Sequence, residues 1–489
     1  MTITDKDLLS MQEARNLAMS AYEAQKIWGK ATQEQVDRVC AAMADTAFAA
    51  SERLGRMAAE ETGFGVAEHK KLKNEFASKH VWESIKDIKT VGVINHDTAR
   101  SIYEIAWPVG VVAGLVPSTN PTSTAIDKIL ISVKARNGIV LTPHPFAVKC
   151  TLEAVKIMQD AAERAGAPAG LIGAMSKISL QGTQELMGHK RIALILATGG
   201  GPMVRVAHSM GKPAYGVGPG NVPAYVDRSA DLEKAAKYIV ASKAFDFSTI
   251  CATEQAVVAD RPIAARLAQL MEAEGAYFVN EGQADALRGI LFHPNGGINA
   301  AATAKSAQYL AAMAGFEIPN DIRILVARVN KVGRDEPLSR EKLSPVLAWY
   351  DVDGWEDGCE CSLELISFGG RGHSLMIHAK DEDVIMAFGL EKPVFRIGVN
   401  TMGTLGAIGM TTSVMPSLTL GSGGIGGAIT GDNVTVHHLY NVKRIAYETS
   451  APPKAALHPG ASSTGDASSD PQMLAKLVEE IVREVLKTQ

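Results

Sequence analysis

The chain has 489 residues, which is too long for one hydrophobic core and predicts two or three domains. Its apolar fraction of 46%, charged fraction of 21% and net charge of −4 are typical of a globular enzyme and give no reason to expect nucleic acid or an anionic membrane as a partner. No secretory signal and no run of about twenty apolar residues occurs, so we expect a soluble cytosolic protein without a transmembrane helix.

Apolar residues at helical spacing predict helices over residues 1 to about 90, with no chemistry assigned to them. Thr32 and Gln35 predict a capping box at the start of the second helix. Between Thr90 and Ala106, apolar residues surround a polar turn, which predicts a β-hairpin.

From Val109 to Val226, short apolar runs alternate with amphipathic helical stretches. The runs span residues 109–116, 138–141, 192–197 and 214–217, and the helical stretches span 123–134 and 147–165. This alternation predicts a parallel sheet with helices on its faces, and such sheets bind ligands beyond the carboxyl ends of their strands.

Three loops would follow these strands, at residues 117–121, 142–145 and 198–202. The prolines in them could merely end strands, and the three consecutive glycines could form only a flexible turn. The alternating-glycine fingerprint of dinucleotide-binding proteins is absent, so the loops alone give weak support. The segment 216–221, Gly-Val-Gly-Pro-Gly-Asn, indicates a close approach of the backbone to a ligand or to another loop.

The second half of the chain again predicts mixed helices and strands, followed by a glycine-dense segment at 398–431. Predicted helices span 262–275 and 281–291, and predicted strands span 322–329, 346–350 and 374–378. Segments 434–439 and 442–447 predict a terminal strand or hairpin.

Five cysteines are scattered along the chain, at Cys40, Cys150, Cys251, Cys359 and Cys361. Their odd number and scattered positions predict reduced thiols and no disulfide framework. Cys359 and Cys361 are too close together for ordinary zinc spacing, and no histidine pair at ligand spacing accompanies them, so no metal site is predicted. We interpret Cys150, Cys359 and Cys361 as structural thiols.

Cys251 lies between serine, threonine and small residues, directly before the apolar run 256–258. A catalytic thiol needs access to substrate, surroundings that partly exclude water, and hydrogen-bond donors that favour the thiolate. The alternative is a small buried hydrophobic residue, which is what most free cysteines are. Residue type alone favours that alternative, and the motifs on either side favour catalysis.

Four features together resemble the aldehyde dehydrogenase superfamily. They are the segment around Cys251, Asn120 in its Pro-Ser-Thr-Asn-Pro loop, the glycine turn 199–201 and the sequence Glu-Lys-Leu-Ser-Pro at 341–345. More narrowly, they resemble its branch that acylates coenzyme A, the acetaldehyde and propionaldehyde dehydrogenases. The resemblance covers roughly residues 5–447.

This resemblance implies an α/β fold with a Rossmann-like NAD-binding domain, an α/β catalytic domain and a β-hairpin oligomerisation element. The implied boundaries are 1–90 and 107–220 for the NAD- and CoA-binding domain, 221–431 for the catalytic domain, and 91–106 with 432–447 for the hairpin. A homo-oligomer, either a dimer or a tetramer, is implied as well.

Residues 448–470 are rich in Ala, Pro, Ser, Gly and Asp and predict a linker. Residues 471–489 then return to helical periodicity, with apolar positions Leu474, Leu477, Val478, Ile481, Val482, Val485 and Leu486. The two segments look like the encapsulation peptides that carry enzymes into bacterial microcompartments. That likeness implies a location in the bacterial cytoplasm inside such a compartment, with the helix bound to the shell or to a co-packaged enzyme.

The resemblance also implies a mechanism. Cys251 as thiolate attacks the aldehyde carbon, and the Asn120 amide with the Cys251 backbone N–H stabilises the resulting oxyanion. Hydride passes to NAD and leaves a thioester on Cys251. His373 lies in a pattern that this branch also shows, and two interpretations stay open, a structural loop histidine or a group that assists proton movement.

The implied cofactor site contains Glu341 on a ribose of the dinucleotide, and Thr198 with the glycine turn against the pyrophosphate at a helix that begins near Met203. Thr142 and His144 border the adenosine side. The other implied contacts are Gly199, Gly200, Leu343, Ser118 and Thr119.

Hydrolytic aldehyde dehydrogenases carry a Glu-Leu-Gly-Gly motif whose glutamate activates water. Alignment on Pro223 places Val217 at that position, and an isopropyl group cannot take a proton. A thiol nucleophile needs less help, because a few per cent of it is already thiolate near neutral pH. The sequence therefore predicts reversible acyl transfer to coenzyme A. The resemblance to the acetaldehyde and propionaldehyde dehydrogenases implies a short aliphatic aldehyde as substrate, propionaldehyde first and acetaldehyde next.

Two alternatives belong to other classes. A hydrolytic or semialdehyde dehydrogenase would use water or phosphate, and Val217 disfavours the version with water. A non-catalytic microcompartment scaffold would need only the terminal helix, and the intact set of Asn120, Cys251 and Glu341 disfavours it.

Overall fold

The computed structural model describes residues 5–457 and 471–486. The chain divides into two compact units. The first comprises the segment up to Ile94 together with Ile105–Lys443, and the second comprises Asn95–Glu104 together with the segment from Arg444 onward.

The described residues contain the strands β1 (Gly92–Asp97), β2 (Ile102–Pro108), β3 (Val111–Val116), β4 (Gly138–Pro143), β5 (Ile172–Ala174), β6 (Ile192–Thr198), β7 (Ala214–Val217), β8 (Val222–Val226), β9 (Glu254–Asp260), β10 (Ala276–Val279), β11 (Ile324–Arg328), β12 (Val346–Val352), β13 (Leu375–His378), β14 (Ile397–Val399) and β15 (Tyr440–Ala446). The predicted mixed α/β class is confirmed.

The helices are α1 (Lys6–Trp28), α2 (Gln33–Ala49), α3 (Ser51–Thr62), α4 (Ala67–Glu75), α5 (Val81–Ile85), α6 (Pro121–Lys134), α7 (Val148–Arg164), α8 (Leu180–Gly188), α9 (Gly201–Ser209), α10 (Leu232–Ala244), α11 (Arg261–Ala273), α12 (Glu281–Leu291), α13 (Ala307–Met313), α14 (Trp355–Phe368), α15 (Glu382–Glu391), α16 (Gly403–Gly406), α17 (Lys454–Leu457) and α18 (Pro471–Leu486). A π-helical turn, Phe76–His80, joins α4 to α5. No described helix is both long and apolar enough to cross a bilayer.

Two parallel sheets form the centre of the first unit. One has five strands in the order β5-β4-β3-β6-β7, and the other has seven in the order β10-β11-β12-β9-β8-β13-β14. Their pairings are all parallel. Strands β3, β4, β8 and β9 are buried along their whole length. Burial on both faces explains why β3 and β4 appear in the sequence as apolar runs.

The order of the five-stranded sheet reverses between β3 and β6, because the chain builds outward on one side through β4 and β5 and on the other through β7. Helix α6, which follows β3, is buried at all 14 positions. Its Lys128 donates hydrogen bonds to the carbonyl oxygens of Leu115 and Leu196, near the ends of β3 and β6. The helix therefore holds these two strand ends in place at the reversal point.

In helix α1, the residues that packing buries are mostly small, and a large apolar residue is left exposed. Its buried stripe consists mainly of alanines, among them Ala14, Ala18, Ala21 and Ala24, whereas Leu8 is 54% exposed. The predicted capping box of α2 is confirmed, because Thr32 accepts from the Gln35 backbone and the Gln35 side chain accepts from the Thr32 backbone.

A three-stranded sheet has the order β1-β2-β15, and part of each strand lies in the second unit. Within that unit, Arg444 pairs with Glu104 at 2.9 Å and the ring of His96 stacks on Tyr103. The predicted strand at 434–439 is wrong. A 3₁₀ turn, Val436–His438, stands there because the Thr435 N–H donates to Nδ1 of His438 and closes a helical turn.

The predicted linker 448–470 contains the short helix α17, and its residues 458–470 lie outside the described residues. The predicted terminal helix is present as α18, and its last three predicted residues, 487–489, also lie outside the description. On α18, the side chains of Leu477, Val478 and Ile481 are 57%, 56% and 55% exposed.

Candidate active site

A cavity of about 660 Å³ lies in the first unit at the carboxyl ends of β3, β4, β6 and β7. Its wall contains residues 117–120, which follow β3, and Gly199 and Gly200, which follow β6. Loops that leave a parallel sheet at its reversal point diverge and leave a crevice between them. The position of the cavity therefore agrees with the loops that the sequence singled out.

The opposite wall comes from the amino ends of the seven-stranded sheet. Cys251 precedes β9 and Glu341 precedes β12, which is the neighbour of β9 in the sheet, and both line the cavity. Gly220 precedes β8 on the other side of β9. Adjacent parallel strands bring these residues together although they are far apart in the sequence.

The Cys251 thiol is partly buried in this wall. Burial raises its pKa to about 12, and the carboxylate of Glu341 adds to the rise, while Arg396 opposes it. The thiol is therefore protonated at neutral pH in this structure. The other four cysteines are not among the residues that line the cavity.

The chain reaches Cys251 through an unusual turn. Asp246, Phe247 and Ser248 have φ values of 48°, 51° and 68°, a left-handed conformation that costs free energy in side-chain-bearing residues. The surrounding structure holds this turn through Asp246, whose N–H donates to Nδ1 of His69 at 2.8 Å and whose carboxylate accepts from Val66 N–H. Strain stored beside a nucleophile is typical of functional sites.

Asn120 precedes α6 and lines the same cavity. Its Oδ1 accepts a hydrogen bond from Nζ of Lys73 at 2.6 Å. Its Nδ2 donates to the carbonyl oxygen of Thr249 at 3.1 Å and to Oγ1 of Thr119 at 3.2 Å. The amide is thus held firmly, and binding of an oxyanion would take over one of these two donated bonds.

Glu341 is the one carboxylate among the described residues of the cavity wall, where Cys251 and His144 are the other ionisable groups. It is 8% exposed, and its Oε1 accepts from the Gly220 N–H at 3.1 Å. Burial raises the pKa of Glu341 to about 7, with the Gly220 hydrogen bond opposing the rise.

Gly220 is a position where backbones must approach closely. A Cβ added there would collide with the carbonyl oxygen of Cys251 and would stand 3.2 Å from Cε1 of His373. The close approach predicted for segment 216–221 is therefore present, and the neighbouring loop is the one that carries Cys251.

His373 lies behind Gly220 and is not among the residues that line the cavity. It is 1% exposed, its Nδ1 pairs with Oγ of Ser374 at 3.0 Å, and its Nε2 has no protein partner among the described residues. Burial, together with the charge of Arg396, lowers the pKa of His373 to about 3. The imidazole is neutral at physiological pH.

The loop after β6 has the features of an anion site at a helix start. Gly200 precedes α9 without a side-chain cap, so the first N–H groups of α9 are free of such a partner. A Cβ added at Gly199 would meet nothing within 4 Å, so local packing does not require glycine there. Oγ1 of Thr198 is buried and unpaired. These observations fit a phosphate group that approaches the backbone. Helix α9 begins at Gly201, two residues before the predicted start.

The remaining predicted cofactor residues also line the cavity: Ser118, Thr119, Thr142, His144 and Leu343. Oγ1 of Thr142 pairs with Oγ1 of Thr183 at 3.1 Å, and Nδ1 of His144 accepts from the Phe146 N–H. Leu343 has a φ of 47°, a second strained position beside the cavity.

Val217 ends β7 and lines the cavity with Gly218 and Pro219. Its side chain is apolar and cannot accept a proton. No group of three His, Cys, Asp or Glu residues in the described parts of the chain is arranged to hold a metal ion.

The sequence interpretation missed a buried ion cluster next to Asn120. Asp246 pairs with Lys70 at 3.0 Å and with Lys73, and Thr249 Oγ1 donates to the same carboxylate at 2.7 Å. Burial raises the pKa of Asp246, but Lys73 and Lys70 outweigh that effect and hold it at about 2. The available signal was the spacing of Lys70 and Lys73, which places both on one helix face, although a lysine-rich helix usually predicts a solvated surface.

The aldehyde dehydrogenase family matches this chain over residues 2–285. The match covers more than half of the chain, and the chain therefore belongs to the aldehyde dehydrogenase family. The resemblance based on the motifs is confirmed.

Two solved structures define the relationship more narrowly. An acetylating aldehyde dehydrogenase from Geobacillus thermoglucosidasius is 52% identical, with a TM-score of 0.91 and coverage of 92% of this chain and 100% of that one. A propionaldehyde dehydrogenase from the fucose utilisation bacterial microcompartment of Clostridium phytofermentans is 29% identical, with a TM-score of 0.80 and coverage of 88% and 96%.

Among curated relatives, aldehyde-alcohol dehydrogenase 2 of Entamoeba histolytica is 43% identical over 424 residues, which are 85% of this chain and 49% of that protein. The chain spans about half the length of the curated aldehyde-alcohol dehydrogenases that it matches.

Proposed function

We propose that this protein is a CoA-acylating aldehyde dehydrogenase, which oxidises a short aliphatic aldehyde with NAD⁺ and coenzyme A to acyl-CoA and NADH. The observation that carries the proposal is the pairing of a thiol, Cys251, with an apolar side chain, Val217, in the wall of one cavity. The thiol supplies a nucleophile, and Val217 stands where a hydrolytic relative needs a carboxylate.

In the proposed reaction, the Cys251 sulfur gives its proton to solvent water and bonds to the aldehyde carbon, and the carbonyl oxygen takes up the negative charge. The Asn120 amide and the Cys251 backbone N–H stabilise that oxyanion. NAD⁺ held in the cavity would supply the hydride acceptor, and once the carbon has lost its hydride a thioester remains on Cys251. The coenzyme A sulfur then bonds to the acyl carbon and the Cys251 thiolate leaves, so one thioester replaces another and the reaction is reversible.

The residues present fit a dinucleotide in the cavity. The start of α9, with Thr198, Gly199 and Gly200, would receive the pyrophosphate through backbone N–H groups and the unpaired Thr198 hydroxyl. Glu341 with Leu343 would hold a ribose. The proposed adenosine side and loop contacts are Thr142, His144, Ser118 and Thr119.

His373 belongs to this proposal as a positioning group only. Its neutral, buried imidazole lies against Gly220 and outside the cavity wall. This placement favours the structural interpretation of His373 over direct proton transfer.

We assign the domains on the same basis. Strands β3 to β7 fall within residues 107–220, which with 1–90 would bind NAD and coenzyme A, and strands β8 to β14 fall within 221–431, which would carry catalysis. Residues 91–106 and 432–447 would form the oligomerisation element of a dimer or tetramer. Strands β1 and β15 are largely exposed, which supports this role.

The relatives support two chain lengths for the aldehyde substrate. The Geobacillus relative is an acetylating enzyme and the Clostridium relative is a propionaldehyde dehydrogenase. We propose propionaldehyde first and acetaldehyde next.

The microcompartment origin of the Clostridium relative and the exposed apolar residues of α18 support a cytoplasmic enzyme inside a microcompartment, bound through α18 to its shell or to a co-packaged enzyme.

Initial rates with C2 to C4 aldehydes, measured with and without coenzyme A, test the proposal. We expect steady NADH and acyl-CoA formation with coenzyme A, and at most a burst without it, because Val217 cannot activate water. Val217→Glu should raise the rate of acid formation without coenzyme A, with Val217→Gln as the matched control that lacks the carboxylate. Steady release of free acid by the unmodified enzyme without coenzyme A would contradict the assignment.

A further inference from the structure

Helix α4 places two lysines in a buried cluster beside the proposed oxyanion site. The Nζ atoms of Lys70 and Lys73 both bond Oδ2 of Asp246, and none of the three side chains is more than 3% exposed. Two lysines share one aspartate, so the cluster holds one positive charge in excess while both are protonated. A charge is retained in a protein interior only where hydrogen bonds and counter-charges compensate its desolvation.

Lys73 is the member of the cluster that contacts Asn120. Its Nζ lies 2.6 Å from Asn120 Oδ1 and 2.8 Å from Oγ1 of Thr249. An ammonium group has only donors, so the atom of the Asn120 side chain that faces it must be the oxygen. The amide NH₂ is thereby turned to the other side, toward the carbonyl oxygen of Thr249. A flipped amide would place two donors against each other.

We propose that Lys73 is a positioning residue of the reaction, which fixes the orientation of the Asn120 amide and strengthens its N–H groups as donors to the oxyanion on the substrate. The inference rests on the proposed function. A hydrogen bond from a cation to the amide oxygen withdraws electron density from the amide nitrogen, and hydrogen bonds in a chain strengthen one another in a buried site. The excess positive charge of the cluster also favours the anion that forms in the cavity.

A purely structural role is the competing explanation, because the same cluster holds the left-handed turn at Asp246. Lys70 shares that structural role. It bonds Asp246 at 3.0 Å and the carbonyl oxygen of Thr119 at 2.9 Å, but no hydrogen bond joins it to the Asn120 side chain. Lys70→Met is therefore the matched control for Lys73→Met, since each removes one buried lysine from the same aspartate.

A double-mutant cycle with Asn120→Ala separates the two explanations. The readout is the rate of the NADH burst with aldehyde and NAD⁺ and without coenzyme A, which reports only the formation of the thioester on Cys251. We expect Lys73→Met to slow the burst by about one to two orders of magnitude, which is less than the roughly two to three orders lost with an oxyanion donor itself, because Asn120 is still present. In the Asn120→Ala background the same substitution should slow it by less than about threefold, because its effect acts through Asn120.

Lys70→Met should slow the burst by the same factor in both backgrounds. NADH affinity, measured by fluorescence, should be unchanged in every variant, and thermal unfolding reports whether each is folded. Should Lys73→Met fail to fold, Lys73→Gln serves in its place, because its amide keeps a donor for Asn120 without the charge.

Each result of the cycle decides between explanations. An undiminished effect of Lys73→Met in the Asn120→Ala background, or an equal coupling for Lys70→Met, would overturn the inference and leave the proposed function intact. A normal burst that coenzyme A does not extend into steady turnover would contradict the CoA assignment while the cycle stays interpretable. Absence of any NADH from the unmodified enzyme would overturn both.

Discussion

At the residue scale, the central feature is the thiol of Cys251, the proposed nucleophile, which the structure keeps protonated. Burial raises the pKa of the Cys251 thiol to about 12, so the thiolate needed for attack is scarce at neutral pH. The nearby carboxylate of Glu341 adds to the rise, and Arg396 opposes it. In the proposed mechanism, ionisation of this thiol therefore depends on a change in its surroundings when substrate and cofactor bind.

The raised pKa leads to a prediction about alkylation of Cys251 by iodoacetamide. Because only the thiolate reacts, the rate should increase about tenfold per pH unit between pH 7 and 9, without a plateau. Glu341→Gln removes a negative charge that raises the pKa, so this variant should react faster at pH 8. Peptide mapping by mass spectrometry assigns the modification, with Cys251→Ala as the blank. A plateau below pH 8 would show that the thiol is already ionised.

The sequence was sufficient to single out Cys251, Asn120 and Glu341, which the structure brings together in the wall of one cavity, because each lies in a short motif of recognisable composition. It was insufficient for Lys73, which meets Asp246 across 173 positions of the chain. No local periodicity encodes that contact. A lysine-rich helix face is also usually solvated, and only the fold shows that this one is buried.

At the scale of elements, the strands of the two parallel sheets could be predicted because strands buried on both faces appear as apolar runs. Strand β3 is an example, since it lies within the predicted run 109–116 and all six of its residues are buried. The prediction of a strand at 434–439 failed, because the Thr435 backbone N–H donates to Nδ1 of His438 and closes a turn there. Hydrophobic patterning gives no signal for such a bond. Helix α18 was predicted correctly because its apolar residues recur at helical spacing.

The terminal helix α18 leads to a prediction about targeting. A helix of 16 residues is marginal alone in water, so its exposed Leu477, Val478 and Ile481 need a partner surface. Under the proposed microcompartment location, Ile481→Glu should abolish the capture of the enzyme by the compartment and leave turnover within about twofold, because the residues that line the cavity belong to the first unit. Lys476→Glu, a charge change at a polar position of the same helix, is the control.

Fluorescence microscopy of residues 448–489 fused to a fluorescent protein, in cells that make the cognate compartment, provides the measurement. Punctate fluorescence that Ile481→Glu makes diffuse is the expected result. Diffuse fluorescence from the unmodified fusion, with the enzyme still captured after truncation at Ser450, would rule out the segment as the targeting signal.

At the scale of the whole molecule, the cavity is lined by residues at the carboxyl ends of the strands of one sheet and at the amino ends of the strands of the other. Asn120 and Thr198 come from the first sheet, and Cys251 and Glu341 come from the second. The alternation of elements predicted parallel sheets, but strand order and the meeting of the two sheets depend on long-range pairing that a single sequence does not display. The resemblance of motifs, and not physical patterning, supplied that part of the expectation.

The proposed mechanism depends most on a thioester at Cys251 whose acyl group is transferred to coenzyme A. The direct measurement is mass spectrometry of the Cys251 peptide after rapid quenching of the enzyme with propionaldehyde and NAD⁺, before and after coenzyme A is added. We expect a propionyl group on Cys251 that persists without coenzyme A and is lost when it is added, with a stoichiometric amount of propionyl-CoA formed. An unmodified Cys251 during turnover, or loss of the acyl group as free acid before coenzyme A is present, would contradict the account.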